Sequence, residues 1–174
     1  MNELRFNHKQ STNMDDLPLI INDFSQKKVY EVDLLENDEE NIDFLITLIR
    51  GRLVKVLISP YHFLQKELED EFKARDLEYE IFTPSKKNNF FTISISDQTD
   101  ISFLINTCYD LGVQNCSVFF FLDDDVHITY TKTSSKLKNY FIGEEWTPTI
   151  TLLGNGKCLF MRYDGALLTM VANN

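Results

Sequence analysis

Apolar residues recur along this chain with two different periods, and the alternation between them predicts its elements. Val29, Val32, Leu34 and Leu35 mark a strand. Asn37 to Glu40 then supply a helix start, a capping side chain followed by acids that favour the positive end of the helix dipole. Ile42, Leu45, Ile46 and Ile49 follow at helical spacing, and Gly51 closes the element. Leu53 to Ile58 is an apolar strand, after which Ser59-Pro60 has the form of a helix entrance with Ser as cap and Pro at the first position. The helix expected from about Tyr61 to Asp76 buries Phe63, Leu64, Leu68 and Phe72 and turns Glu67, Glu69, Asp70 and Glu71 outward.

The second half continues the same way before changing character. Tyr79 to Phe82 begins a strand, and Lys86 to Asn89 form a polar turn into a strand at Phe90 to Ile95. Asp97 and Thr99 signal another helix start, followed by the stripe Ile101, Leu104, Ile105 and Cys108 and a turn at Gly112. Ser117 to Leu122 is nearly unbroken in its apolarity, as a strand in a sheet interior must be when both faces are covered. Val126 to Thr131 alternates, and Thr133 to Lys138 has loop composition. Asn155-Gly156 and Asp164-Gly165 are hairpin-turn dipeptides set between apolar runs at 149–153, 157–163 and 166–171. The expected fold is α/β (α+β): a mixed sheet, three main helices near 41–50, 61–76 and 99–111, and a C-terminal antiparallel three-stranded meander. The chain is expected to be one domain over 1–174, with a loosely ordered segment at 1–26. Ile42-Asp-Phe-Leu-Ile-Thr and Ile101-Ser-Phe-Leu-Ile-Asn look alike, either by duplication or because two amphipathic helices of similar burial converge on similar letters.

Charge changes the picture more than composition does. From Glu31 to Glu80 there are 14 acids against 6 bases, and the remainder holds 13 against 11. Most of the formal charge of −10 therefore lies in one stretch, and Glu31 to Asp43 holds seven acids and no base. Such a field attracts cationic partners and repels nucleic acid. Helix-dipole relief accounts only for the acids near a helix start, and solubility alone requires less self-repulsion than this. No apolar run reaches the ~20 residues that cross a bilayer. The polar start at Met1 to Met14 and three widely spaced cysteines (Cys108, Cys116, Cys158) point to a cytoplasmic protein without disulfides. With 14 Asn and 14 Ile against 3 Ala, the composition has the AT-biased character of a low-GC bacterium.

Catalytic chemistry has one candidate. An apolar strand that delivers Asp123, Asp124 and Asp125 at its end is a common way to hold Mg²⁺ or Mn²⁺, because hard cations need oxygen ligands on a rigid support. Phe121-Leu-Asp-Asp-Asp-Val126 resembles the metal-binding aspartate motif of GT-A glycosyltransferases. Asp123 to Val126 also resembles the first motif of haloacid-dehalogenase-type phosphatases, which would make Asp123 the nucleophile and Asp125 the acid/base. Either resemblance covers under a dozen residues, and the first implies a glycine- or aspartate-patterned nucleotide unit upstream that Val29 to Ile58 does not have. The competing reading is a solvated hairpin turn joining Leu122 to Val126. His8, His62 and His127 form no ligand pair at metal spacing, and a phosphate-cradling glycine motif is missing from a chain with 6 Gly.

The expectation is accordingly a non-catalytic module with no cofactor and no metal, which binds neither nucleic acid nor membrane. Its acidic face, with Glu36, Asp38, Glu39, Glu40, Glu67, Asp70 and Glu71 as contact residues, would engage a basic protein. A toxin-neutralising immunity protein or antitoxin is the most concrete version, since many toxins carry basic clefts. The alternatives are a divalent-metal enzyme using Asp123 to Asp125 for phosphoryl or glycosyl transfer, and a regulatory module that oligomerises through C-terminal strand edges.

Overall fold

The computed structural model describes residues 6–9, 19–85, 89–137, 140–162 and 165–173, and side chains for these except at 134–144. The strands are β1 (Asn7–Lys9), β2 (Ile20–Ile21), β3 (Lys28–Asp33), β4 (Lys55–Ser59), β5 (Tyr79–Phe82) and β6 (Phe90–Ser94), then β7 (Ser117–Phe121), β8 (Val126–Leu137), β9 (Tyr140–Leu152), β10 (Lys157–Arg162) and β11 (Leu167–Ala172). The helices are α1 (Asp38–Ile49), α2 (Gln65–Ala74) and α3 (Ile101–Val113). Eight strands form one antiparallel sheet in the order β1-β3-β11-β10-β7-β4-β6-β5, and β2-β9-β8 form a small mixed sheet. The protein is thus a mixed α+β fold.

Alternation along the central strands explains the layering. Val118, Phe120 and Leu122 pack into one apolar cluster with Leu45 and Ile49 of α1, Leu68 and Phe72 of α2, and Leu104, Ile105 and Cys108 of α3. Phe119 and Phe121 point the other way, into a second cluster with Ile150 and Leu152 of β9 and Ile21 of β2. The large sheet is therefore covered by helices on one face and by the small sheet on the other. That is why β7 reads as an unbroken apolar run.

Several expectations need correction. The three-stranded meander does not form: β10 and β11 pair as a hairpin, but β10 takes β7 as its other neighbour, and β9 belongs to the small sheet. Turn dipeptides report a change of chain direction, not which strands then share hydrogen bonds. Both β10 and β11 are flanked on two sides, so the C-terminal edge that stays open is that of β8 in the small sheet. The polar stretch expected as a loop is instead part of β8 up to Leu137, where Thr131 pairs with Thr149 (2.7 Å) and Thr133 with Thr147 (3.0 Å) through their hydroxyls. The Lys86–Asn89 turn falls outside the described residues except Asn89, as do Asp164 and most of the segment before residue 19.

Helix boundaries also move. Ser59 ends β4 instead of capping a helix, and a 3-10 turn at His62–Leu64 delays α2 to Gln65. Phe63 consequently falls outside the buried stripe and is 77% exposed. Asp100 caps α3, accepting from the Phe103 N–H at 3.0 Å. Gly112 does not end that helix; Asn115 takes the left-handed position after it, at φ +64°. The two similar segments differ in topology: three strands separate β3 from β4 in the sheet, whereas only β4 separates β6 from β7. That difference favours convergence of letters over duplication.

Candidate functional site

The antiparallel order decides where the acids end up. Successive pairings β3–β11–β10–β7–β4 make β3 and β4 run in the same direction, so both deliver the chain to one end of the helical layer. Helices α1 and α2 begin at that end. Helix α3 finishes there, because β7 starts opposite the end of β4 (Ser59 against Ser117). The beginning of α1, the beginning of α2 and the end of α3 therefore converge.

At the start of α1, Asn37 caps the helix by accepting from the N–H groups of Glu39 (3.1 Å) and Glu40 (3.4 Å), and it donates back to the Glu40 carboxylate (3.0 Å). Glu36, Asp38, Glu39 and Glu40 are exposed. Asp38 accepts a hydrogen bond from the Tyr109 hydroxyl at 2.7 Å, and the same hydroxyl accepts from Asn41 at 2.9 Å. Asn41 is fully buried and also bonds both the N–H (2.9 Å) and the C=O (2.8 Å) of Leu35. This network pins the β3–α1 connection to α3. Burial, and then the bond to Asp38, raise the pKa of Tyr109, so its hydroxyl stays protonated as the donor.

Helix α2 carries the second group. Glu67, Asp70 and Glu71 are exposed, while Glu69 is engaged by Lys73 (3.4 Å) and Gln65 (3.0 Å). Between α2 and α3 runs a groove of about 360 Å³, floored by Leu64, Leu68, Phe103 and Leu111 and rimmed by Glu67, Glu71 and Asp110. At the Phe103 end, the guanidinium of Arg75 lies 3.8 Å from the centre of the Phe103 ring and 3.4 Å from Asp100. Beside the groove, exposed Tyr61 stacks on Phe63 with ring centres 5.7 Å apart.

The structure thus places Glu36, Asp38, Glu39, Glu40 and Glu67 near one end of the helical layer, in two groups on either side of α3, with Asp70 and Glu71 further along α2. Asp110, at the end of α3 and between those groups, was not among the expected residues. Neither was Phe63 as an exposed group. Asp110 lay outside the acidic stretch, and only the helix pairing brings it in. By contrast Glu31, within the stretch, is taken by Arg162 (3.5 Å) and Lys9 (3.4 Å).

Asp123 to Asp125 do not form a hairpin turn. They connect β7 in the large sheet to β8 in the small one. Their side chains diverge: Asp125 packs against Gly154, while Asp123 and Asp124 border a small cavity of about 40 Å³ with Val54 and Lys55. One Asp123 oxygen is buried without a hydrogen-bond partner. Among the described residues no group of three or more His, Cys, Asp or Glu is placed to hold a metal ion. No described helix is long and apolar enough to cross a membrane. Comparison with protein-family models, curated proteins and solved structures gives no match for this chain.

Proposed function

We propose that this protein is a non-catalytic binding module whose acidic face engages a basic protein, with a toxin-neutralising immunity protein or antitoxin as its most concrete form. The observation that carries the reading is convergence. Acids at 36–40, 67 and 110 are far apart in sequence, yet they sit on helix ends that meet at one end of the helical layer, and Asp70 and Glu71 continue the acidic surface along α2. A dispersed, solubilising charge has no need of that arrangement. A cationic cleft approaching this end meets helix termini fixed by the sheet beneath, so little ordering is required on binding.

The test is a paired capture. Wild-type protein and a variant with Glu39, Glu40, Asp70 and Glu71 reversed to Lys are used as baits in extracts of the native host, and retained proteins are identified by mass spectrometry. A basic protein held by wild type and lost by the variant supports the reading. Its association rate should fall between about 0.05 and 0.5 M salt as the screening length shortens through ~10 Å at 0.1 M. A partner held equally by both baits, with an association rate indifferent to salt, removes the acidic face from the account.

A further inference from the structure

The groove between α2 and α3 has more definition than an acidic surface requires. Its α2 wall is Glu67, Leu68 and Glu71, on one face of the helix at i, i+1 and i+4, continued by Leu64 at the end of the preceding 3-10 turn. Its α3 wall runs from Phe103 through Thr107 to Asp110 and beyond on one face, over a length of about 16 Å at 1.5 Å per residue. Apolar groups form the floor and carboxylates the rim. Charge also varies along it: Arg75, paired with Asp100, lies over Phe103 at one end, Glu71 is one helical turn from it, and Glu67 and Asp110 lie towards the other end.

From these features we infer that the groove receives an amphipathic helical segment of a basic protein, its apolar side chains against Phe103, Leu68 and Leu111 and its cations at the Asp110 end. The inference rests on the proposed acidic binding face and adds the form of the ligand. Three properties select this occupant. The groove runs along α3 for about three helical turns, a length suited to the helix-in-groove mode of recognition. Its volume of about 360 Å³ lies at the small end of the ~300–1,000 Å³ typical of ligand clefts, with room for a few apolar side chains. Its acidic rim favours Lys or Arg beside the anchors and disfavours an anionic ligand. Phe63 and Tyr61, exposed on the adjoining face, extend the apolar contact beyond the rim; an exposed aromatic of this kind is a common anchor at protein interfaces.

The experiment uses two synthetic helical peptides of equal length and charge, one with Lys and Leu on opposite faces and one with Gln in place of every Leu. Each is titrated into isotopically labelled full-length protein, with amide shifts and affinity read together. The Lys/Leu peptide should bind about tenfold or more tightly than the Lys/Gln peptide, shifting Phe103, Thr107 and Asp110. Thr107→Trp, which fills the groove from a half-buried position, should abolish that advantage while leaving Lys/Gln binding unchanged. Phe63→Ala, at a site too exposed to matter for folding, should reduce the advantage without moving the groove shifts. Equal, salt-sensitive binding of both peptides overturns the groove and leaves the acidic face standing. No binding of either peptide at low salt overturns both. An advantage that survives Thr107→Trp overturns the groove as the receiving site, and so does a concentration-dependent dimer of the protein that this variant dissolves.

Discussion

Asn41 is the residue whose removal most directly tests how the acidic end is held. Its side chain makes three hydrogen bonds, to Leu35 N–H, Leu35 C=O and the Tyr109 hydroxyl, from a fully buried position. At a net of about 0.5–1.5 kcal/mol each, and with part of the Leu35 loss recovered by water because that loop is only half-buried, Asn41→Ala should cost about 2–4 kcal/mol. For a chain of this size, about 3 kcal/mol corresponds to a melting temperature lower by about 6–12 °C. Tyr109→Phe should cost less, about 1–2 kcal/mol, because exposed Asp38 can turn to water. The two share one bond, so the double variant should fall short of the sum. Urea unfolding of the four proteins measures this. The pH dependence gives a second check. Burial and Asp38 raise the Tyr109 pKa above its unfolded value of ~10, so its contribution is complete below pH ~10 and is lost as pH rises through the folded value. The gap between wild type and Tyr109→Phe should therefore close only in alkaline solution. An Asn41→Ala protein within 0.5 kcal/mol of wild type would refute the claim that this network fixes the start of α1.

Glycine substitutions should separate backbone strain from crowding. Gly51→Ala, at φ +71° with open space around it, should cost about 1 kcal/mol, whereas Gly156→Ala should cost more despite an ordinary φ, because its Cβ would lie 2.7 Å from the Asp125 carbonyl oxygen and 2.9 Å from that of Leu153; equal melting of the two variants would contradict this. Asp123 to Asp125 should not bind Mg²⁺ or Mn²⁺ tightly, since their side chains diverge; calorimetry showing micromolar binding that disappears in Asp123→Asn would promote the enzyme reading. Asp110→Lys should raise the melting temperature of the free protein by about 1–4 °C, from ~0.3–1 kcal/mol of restored helix-dipole pairing, while weakening the Lys/Leu peptide; a lower melting temperature would count against it.

Helices and central strands were legible because their burial is periodic. Leu45 and Ile49, or Leu104, Ile105 and Cys108, must share a face, and the β7 run demands cover on both sides. Pairing was not legible. The segment at 149–153 has the alternation of any half-buried strand, and whether it joins β10 or a separate sheet depends on Ile150 and Leu152 meeting Phe119 and Phe121, which are distant in sequence. The glycine turns misled in a specific way. Asn155-Gly156 does contain a turn, but Gly154 takes the left-handed conformation there and Gly156 is needed for close approach. Phe63 was misplaced because a 3-10 turn shifts the register of α2 by a few residues, and no local signal distinguishes that from a continuous helix. At the site, the acids of α1 and α2 stood out as charge runs, but Asp110 is a single letter whose meaning depends on which helix ends meet.

The convergence of helix ends also makes the acidic groups unequal. Asp38, Glu39 and Glu40 in the first turn of α1 and Glu67 in the first turn of α2 sit at the positive ends of those helices, which offsets part of their mutual repulsion. Asp110 has the opposite situation. It lies in the last turn of α3, at the negative end of the helix dipole, and no basic residue is present in that turn. A carboxylate there is unfavourable in the free protein, and Glu67, towards the same end of the groove, adds to the penalty. Stability alone would place a Lys or an Asn at this position. A cation bound at this end of the groove would relieve both carboxylates and the negative end of the α3 dipole together. Asp110 is therefore the position where the proposed function and the stability of the free fold oppose each other most directly.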